Sequence, residues 1–308
     1  LHILTVYGII NYMELARQYV EPKDIKSPDV HLLRLRDLNP AEIVRDYSAF
    51  TRDRFSSPDG FPVLIPAFNE EVDLPATLLA LARSNIDIKP IVIDNASTDS
   101  TAEYATAMGA ITIHENVPGK MKATQTGLEQ ARAMGYKRIL FTDADTLPGK
   151  KWAVSMHELA GRIDPTQGGL VAGTGLFDHG PNLTTDILRS ANSYARATMR
   201  RVQGKYPMTQ GYNYLLALDM DGVVAEGIND LAPNLFPGED FAIRDKVIEG
   251  GGHIVWATGP DTLVFTRNDR FRSLGEGIMT RLGFKQREEL YQDQYGNLDF
   301  VRYDSPLK

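Results

Sequence analysis

Arg138-Ile139-Leu140-Phe141-Thr142-Asp143-Ala144-Asp145 is a short apolar run that ends in two carboxylates. Its length and composition predict a strand. On an extended segment alternate residues share a face, so Asp143 and Asp145 can address one cation. Carboxylate oxygens suit Mg2+ or Mn2+, which keep waters and bind substrate phosphates. An isolated Asp-x-Asp is weak evidence, and the chain holds a second, Asp219-Met220-Asp221. That pair opens a helix predicted over 222–226, where Asp219 caps and Asp221 favours the helix dipole. The first pair is read as functional and the second as structural.

Upstream, similar apolar runs recur at 62–65, 90–93 and 110–113. Between the four runs lie helix-like stretches at 74–83, 101–108 and 120–134, the last two ended by Gly109 and Gly135. Strands alternating with helices predict an α/β fold with a parallel sheet of right-handed βαβ units. Ligands of such sheets bind at the carboxyl ends of the strands. The first strand runs into Pro66-Ala67-Phe68-Asn69-Glu70-Glu71, where proline is expected to end the ladder. The second ends in Asp94-Asn95-Ala96-Ser97-Thr98-Asp99-Ser100. Asp99 reads as a cap for the next helix. Local sequence leaves Asp94 open between a structural role and acceptance of hydrogen bonds from a base or ribose.

Outside this region the pattern changes. Residues 1–60 contain only Gly8 and Gly60 and read as helical. Ile9, Met13, Ala16 and Val20 line one face, and Asn39-Pro40-Ala41-Glu42 is a helix start. This part is expected to be an extension packed on the main domain, or a dimer arm. Residues 161–308 are less regular, with strands expected at 170–176, 214–218, 254–257 and 262–265. Helices are expected near 184–202, 239–249 and 273–289. The division is therefore 1–60, a helical extension; 61–160, the ligand-binding half; 161–290, the other half of the same domain; and 291–308, a polar tail.

Composition sets the outer bounds. The 308 residues are 43% hydrophobic and 24% charged, which excludes disorder and fibrous architectures. With no cysteine there is no disulfide framework, thiolate metal site or cysteine nucleophile. A net charge of −7 argues against nucleic acid as a partner. No stretch approaches the ~18–20 uninterrupted apolar residues of a membrane helix, and Leu1-His2-Ile3-Leu4 lacks a signal-peptide pattern. A cytoplasmic protein is the expectation.

Taken together, Pro66-Ala67-Phe68-Asn69-Glu70-Glu71, Asp94-Asn95-Ala96-Ser97-Thr98-Asp99, Gly119-Lys120, Asp143-Ala144-Asp145 and Gly238-Glu239-Asp240 resemble the inverting glycosyltransferases of family two. The resemblance covers about residues 60–272. It rests on the order and spacing of the five pieces rather than on any one of them. It implies the GT-A fold, a Rossmann-like, mostly parallel sheet flanked by helices. It also implies a metal-dependent transfer from a nucleotide-diphosphate sugar to an acceptor hydroxyl. That transfer is expected to be non-processive, because the Gln-x-x-Arg-Trp motif of processive synthases and membrane helices are missing. On this resemblance Pro66, Ala67, Asn69 and Glu70 line the nucleoside pocket and Asp94 contacts the base. Lys120 and Glu239 belong to the donor site, Asp143 faces the ribose, and Asp145 ligates Mn2+ or Mg2+ at the diphosphate. Gly211-Tyr212-Asn213 forms a floor near the donor sugar, and Asp240 is the catalytic base.

The pattern also departs from the family. Val264-Phe265-Thr266-Arg267-Asn268-Asp269 lacks the histidine that some relatives offer the metal, and the Gln-x-x-Arg-Trp motif of processive synthases is missing. His2, His31, His114, His157, His179 and His253 show no metal-ligand spacing and read as surface or core residues, with His179 singled out for substrate contact. Of Arg267, Arg270 and Arg272, Arg270 is assigned to the donor diphosphate, because guanidinium forks match phosphate. Alternative readings are a retaining GT-A transferase, an inactive nucleotide-sugar-binding relative and a nucleotidyltransferase. The first strand does not lead into the glycine-rich, basic loop that the last of these requires. The acceptor is left open, as are peripheral membrane contact and a homodimer through residues 1–60.

Overall fold

Six consecutive residues at 62–67 are buried, which is the signature of a strand covered on both faces. In the computed structural model this strand is the centre of an α/β fold. The structure describes residues 38–164, 166, 168–178, 195, 199–200, 202–204, 214–217, 227–235, 238–257 and 259–267. The expected helices at 184–202 and 273–289, the second Asp-x-Asp pair, His179, Gly211, Arg270 and the polar tail lie wholly or largely outside these residues.

The elements are α1 (Pro40–Phe55), β1 (Phe61–Ala67), α2 (Leu74–Ala82), β2 (Ile88–Asn95), α3 (Thr101–Ala107), β3 (Ile111–Glu115), α4 (Lys120–Ala133), β4 (Arg138–Phe141), β5 (Thr146–Pro148), α5 (Trp152–Ala160), β6 (Gly169–Ala172), β7 (Gly175–Asp178), β8 (Tyr214–Ala217), α6 (Glu239–Glu249), β9 (His253–Trp256) and β10 (Val264–Arg267). Seven strands form one sheet in the order β3-β2-β1-β4-β8-β6-β9. All run parallel except β8, which is antiparallel to both its neighbours. The expected mostly parallel sheet flanked by helices is present. Strand order reverses between β1 and β4, which makes their carboxyl ends a topological switch point.

The alternation of the strands divides the core. Val63 and Ile65 of β1, Val92, Leu140 and Val171 pack with α1, α2 and α5. Leu64, Ile91, Ile93, Ile139, Phe141 and Leu170 face the other way, onto α4 and α6. Helix α1 begins as its sequence predicts: Asn39 Oδ1 accepts from Ala41 N at 2.9 Å, with Pro40 in the first turn. Its last turn carries Arg52 and Arg54. Arg52 donates to Ala107 O at 3.1 Å, while Arg54 donates to Ala82 O and Ser84 O, each at 2.9 Å. These guanidinium groups satisfy carbonyls at the ends of α3 and α2, where the helix dipole favours a cation. Ile43 and Phe55 of α1 are buried in the same core as β1.

Three local features differ from expectation. Strand β1 continues through Pro66 to Ala67, with Pro66 opposite Ile93 of β2. The reason is directional: Thr142 N donates to Leu64 O, so residues 64 and 66 present their backbone groups to the β4 side. There β4 has already ended, and the N–H that proline lacks has no ladder to join. The strand expected over 170–176 is two strands, β6 and β7, which join different sheets. Finally, β5, β10 and β7 form a second, three-stranded sheet. Among the described residues no helix is long and apolar enough to cross a membrane.

Candidate functional site

The carboxyl ends of β1 and β2 are clasped by reciprocal hydrogen bonds between their loops. Asn69 N donates to Ser97 Oγ at 3.0 Å, and Thr98 N returns a bond to Asn69 Oδ1 at 2.9 Å. Glu70 N donates to Thr101 Oγ1 at 2.8 Å and Glu71 N to Asp99 Oδ2 at 3.2 Å, while Ser100 N donates to Glu71 Oε2 at 3.0 Å. Asp99 also accepts from Thr101 N at 3.0 Å. The N-cap of α3, however, is Ser100, whose carbonyl accepts from Tyr104 N, so Asp99 stands one residue before the cap position expected for it. Asn69 and Ala96 adopt positive φ, 54° and 59°, so both loops are held in a conformation that side chains rarely enter unaided. Pro66 and Ala67 are buried beneath the clasp.

The Asp143-Ala144-Asp145 segment is fixed from three directions. Thr77 of α2 donates its hydroxyl to Ala144 O at 2.7 Å. Thr146 N donates to Asp143 O at 3.2 Å, and Arg267 N of β10 donates to Asp145 O at 3.3 Å. Asp145 thus sits where the chain leaves the main sheet for the small one. Its Oδ1 lies 3.3 Å from Thr146 Oγ1 and 3.5 Å from Thr266 Oγ1.

Lys120 joins this segment to the start of α6. Its Nζ lies 2.7 Å from Asp143 Oδ1 and 3.2 Å from Glu239 Oε1. A lysine in the first turn of a helix opposes the dipole, so local propensity does not explain it; the two carboxylates do. Gly119 before it has φ 140°, donates its N–H to Asn95 Oδ1 at 2.7 Å, and leaves no room for a Cβ, which would stand 2.4 Å from Pro233 O. The same carbonyl accepts from Lys122 N at 3.1 Å. Gln125 Nε2 reaches three carbonyls of the segment preceding α6: Ile228 O at 3.0 Å, Asn229 O at 3.2 Å and Leu231 O at 2.9 Å. The approach to α6 is thereby pinned to α4.

Helix α6 opens at Gly238, whose φ of 112° demands glycine. Glu239 turns back, with Oε2 accepting from Gly238 N at 2.9 Å and Oε1 facing Lys120. Asp240 is buried, and its Oδ1 accepts from Phe241 N at 3.0 Å. The two carboxylates therefore have separate surroundings.

Charge accumulates here. Burial, and then the carboxylates of Asp145, Asp73 and Asp143, push Glu70 well above the usual carboxylate range, while Lys120 pulls it down. Arg267 Nη1 pairs with Asp73, a contact between residues 194 apart in sequence. Among the described residues no three His, Cys, Asp or Glu side chains converge into a ready-made cage. The oxygen donor set around Asp145, with Asp143, Asp73 and Glu70 within electrostatic reach, suits a hard divalent cation.

Asp94, at the end of β2, is buried. Its Oδ2 lies 2.9 Å from His114 Nδ1, and its Oδ1 is buried with no hydrogen-bond partner among the described residues. An unmet buried acceptor of this kind costs roughly 1–3 kcal/mol, so the group is placed for something other than stability. Thus Pro66, Ala67, Asn69, Glu70, Lys120, Asp143, Asp145, Glu239 and Asp240 are linked through the clasp, the Lys120 bridge and α6, with Asp94 beside the clasp. Sequence reading misses Asp73, Arg267 and His114. The strand-end rule applied to Ile111-Thr112-Ile113-His114 would find the histidine; nothing local marks the Asp73–Arg267 pair.

Residues 63–226, more than half of the chain, match the family model described as Glycosyl transferase family 2. The chain belongs to that family. An uncharacterized glycosyltransferase of Mycobacterium tuberculosis is 39% identical over 70 residues, which are 23% of this chain and 31% of that relative. Among solved structures, this family 2 chain is similar to glucosyl-3-phosphoglycerate synthase from M. tuberculosis in complex with Mn2+, UDP and phosphoglyceric acid. That match has a TM-score of 0.44 at 20% identity and covers 83% of this chain and 84% of the synthase. It is also similar to S. aureus TarS 1–349, with a TM-score of 0.45 at 15% identity, over 78% of this chain and 67% of that one.

Proposed function

We propose that this chain is a metal-dependent, inverting, non-processive glycosyltransferase that moves a sugar from a nucleotide-diphosphate donor to an acceptor hydroxyl. The observation that carries the reading is the Lys120 bridge, which joins the strand-end pair at Asp143 to the helix start at Glu239. Donor-binding and proton-accepting groups then belong to one crevice at the switch point.

In this reading Pro66, Ala67, Asn69, Glu70 and Asp94 hold the nucleoside, and Asp143 faces the ribose. Lys120 and Glu239 fix the diphosphate end of the pocket, with Gly211 and Arg270 assigned to the donor on family resemblance alone. Asp145 holds Mn2+ or Mg2+, which when bound stabilises charge on the leaving diphosphate. Asp240 removes the acceptor hydroxyl proton while that oxygen attacks the anomeric carbon. The bond from that carbon to the diphosphate oxygen breaks on the opposite face, and its electron pair leaves with the phosphate. Glu239 is engaged by Lys120 and Gly238 N, and Asp240, the next residue of α6, takes the base role on family resemblance.

Asp240→Asn keeps size and shape while removing the base. Its turnover should fall about 10²–10⁴-fold, roughly 3–5 kcal/mol of barrier. Nucleoside-diphosphate affinity, measured by calorimetry with Mn2+, should stay within a few-fold of wild type. Turnover near wild type, or loss of nucleotide binding, would remove Asp240 from this role.

A further inference from the structure

His114 is the residue of β3 directly opposite Asp94 in the β2–β3 register, and β3 is the sheet edge. Its side chain is 66% exposed, whereas that of Asp94 is 6% exposed. A carboxylate only accepts, so the proton of this contact sits on His114 Nδ1. The other polar groups near the strand end are already used. Asn95 binds Gly119 N and Val117 O, and Glu115 accepts from Val117 N and Thr126 Oγ1.

We infer that His114 is a positioning residue for base recognition, holding Asp94 Oδ2 so that Oδ1 is a fixed acceptor for a ring N–H of the donor base. This rests on the nucleotide-sugar reading above and names the class of base. Uracil offers N3–H and guanine offers N1–H. Cytosine and adenine carry a bare lone pair at the matching ring nitrogen, which an acceptor-only oxygen repels. A carboxylate free to rotate can move its charge away from that lone pair, so fixing it is what creates the discrimination.

The test is calorimetric titration of the full chain, with Mn2+, by UDP, CDP, GDP, ADP and pyrophosphate. Wild type should bind UDP over CDP, or GDP over ADP, by about tenfold or more, one hydrogen bond's worth of discrimination. His114→Leu should weaken the preferred nucleotide about tenfold, collapse that ratio and leave pyrophosphate within about twofold. His114→Thr suits a strand but cannot reach Asp94, so it should behave the same and serves if the leucine variant does not fold. His114→Asn, whose amide can donate, should restore most of the preference. Preference for CDP or ADP in wild type overturns the inference. So does an intact ratio in the leucine and threonine variants, or an equal loss for pyrophosphate. A wild type that binds none of the nucleotides refutes the nucleotide-sugar reading itself, and this inference with it.

Discussion

Replacing Lys120 by methionine keeps the length of the side chain and removes the charge that joins the two halves of the site. At an effective dielectric constant of about 20, the contacts at 2.7 Å to Asp143 and 3.2 Å to Glu239 correspond to attractions of about 6 and 5 kcal/mol. Most of that is offset by the desolvation of three charges whose side chains are only 19%, 14% and 7% exposed. What the substitution exposes is the repulsion between the two carboxylates. Their oxygens lie within roughly 6 Å of each other, and that repulsion is about 3 kcal/mol on the same scale. Lys120→Met should therefore lose about 3 kcal/mol of stability in urea unfolding, in line with the roughly 3–5 kcal/mol seen when one partner of a buried pair is removed. Lys120→Arg should lose much less. Nucleoside-diphosphate affinity should drop about tenfold or more in the methionine variant, because the site an anion enters would then carry one positive charge fewer. A methionine variant within about 1 kcal/mol of wild type would refute the bridge as an organising contact.

The geometry fixes three further outcomes. Asp145→Asn should reduce Mn2+-dependent donor binding and turnover, and activity unchanged in EDTA would exclude the metal role. Gly119→Ala combines a φ of 140° with a Cβ placed 2.4 Å from Pro233 O, so denaturation should register a loss of about 2 kcal/mol or more. His157 packs edge-on against Phe61 with ring centroids 4.9 Å apart, and burial, then Arg138, lowers its pKa below 6.5. Its neutral form is thus the folded one. The unfolded chain binds the proton first, so this contribution is full above about pH 6.5 and is lost as pH falls through and below that value; His157→Phe should flatten that part of the stability–pH curve relative to wild type.

The legible and illegible parts of the chain divide along physical lines. The four parallel strands are legible because each is a continuous apolar run bounded by turn residues. Asp94, Asp143 and Asp145 are legible because they stand at the carboxyl ends of those runs, where a parallel sheet presents its ligand. Asp240 and Glu239 are legible only through family pattern, since a carboxylate at a helix start is ordinary. The second sheet is invisible as a sheet, and β5 has only three residues. The strands expected at 170–176 and 262–265 overlap β7 and β10, but nothing local says that the three pair with one another. The expected strand at 170–176 hides a change of sheet between Ala172 and Gly175. Asp73 and Arg267 cannot be paired from sequence at all, because their contact is created by β10 lying beside β5.

The charge distribution supplies the remaining link between this architecture and the proposed chemistry. Glu70, Asp73, Asp143 and Asp145 lie within electrostatic reach of one another, and Lys120 joins Asp143 to Glu239, the neighbour of Asp240. Among the described residues, the cations in ion-pair reach of this set are Lys120, beside Asp143 and Glu239, and Arg267, beside Asp73. Both are engaged with carboxylates already. A diphosphate entering alone would add negative charge to a place where Glu70 is held well above its usual range by burial and by its neighbours. A divalent cation held by Asp145 would add two positive charges there and offset part of the repulsion on Glu70. On the proposed reading donor and cation therefore favour each other's binding through the carboxylates. That coupling is reciprocal by thermodynamic necessity: whatever the cation adds to nucleotide affinity, the nucleotide adds to cation affinity.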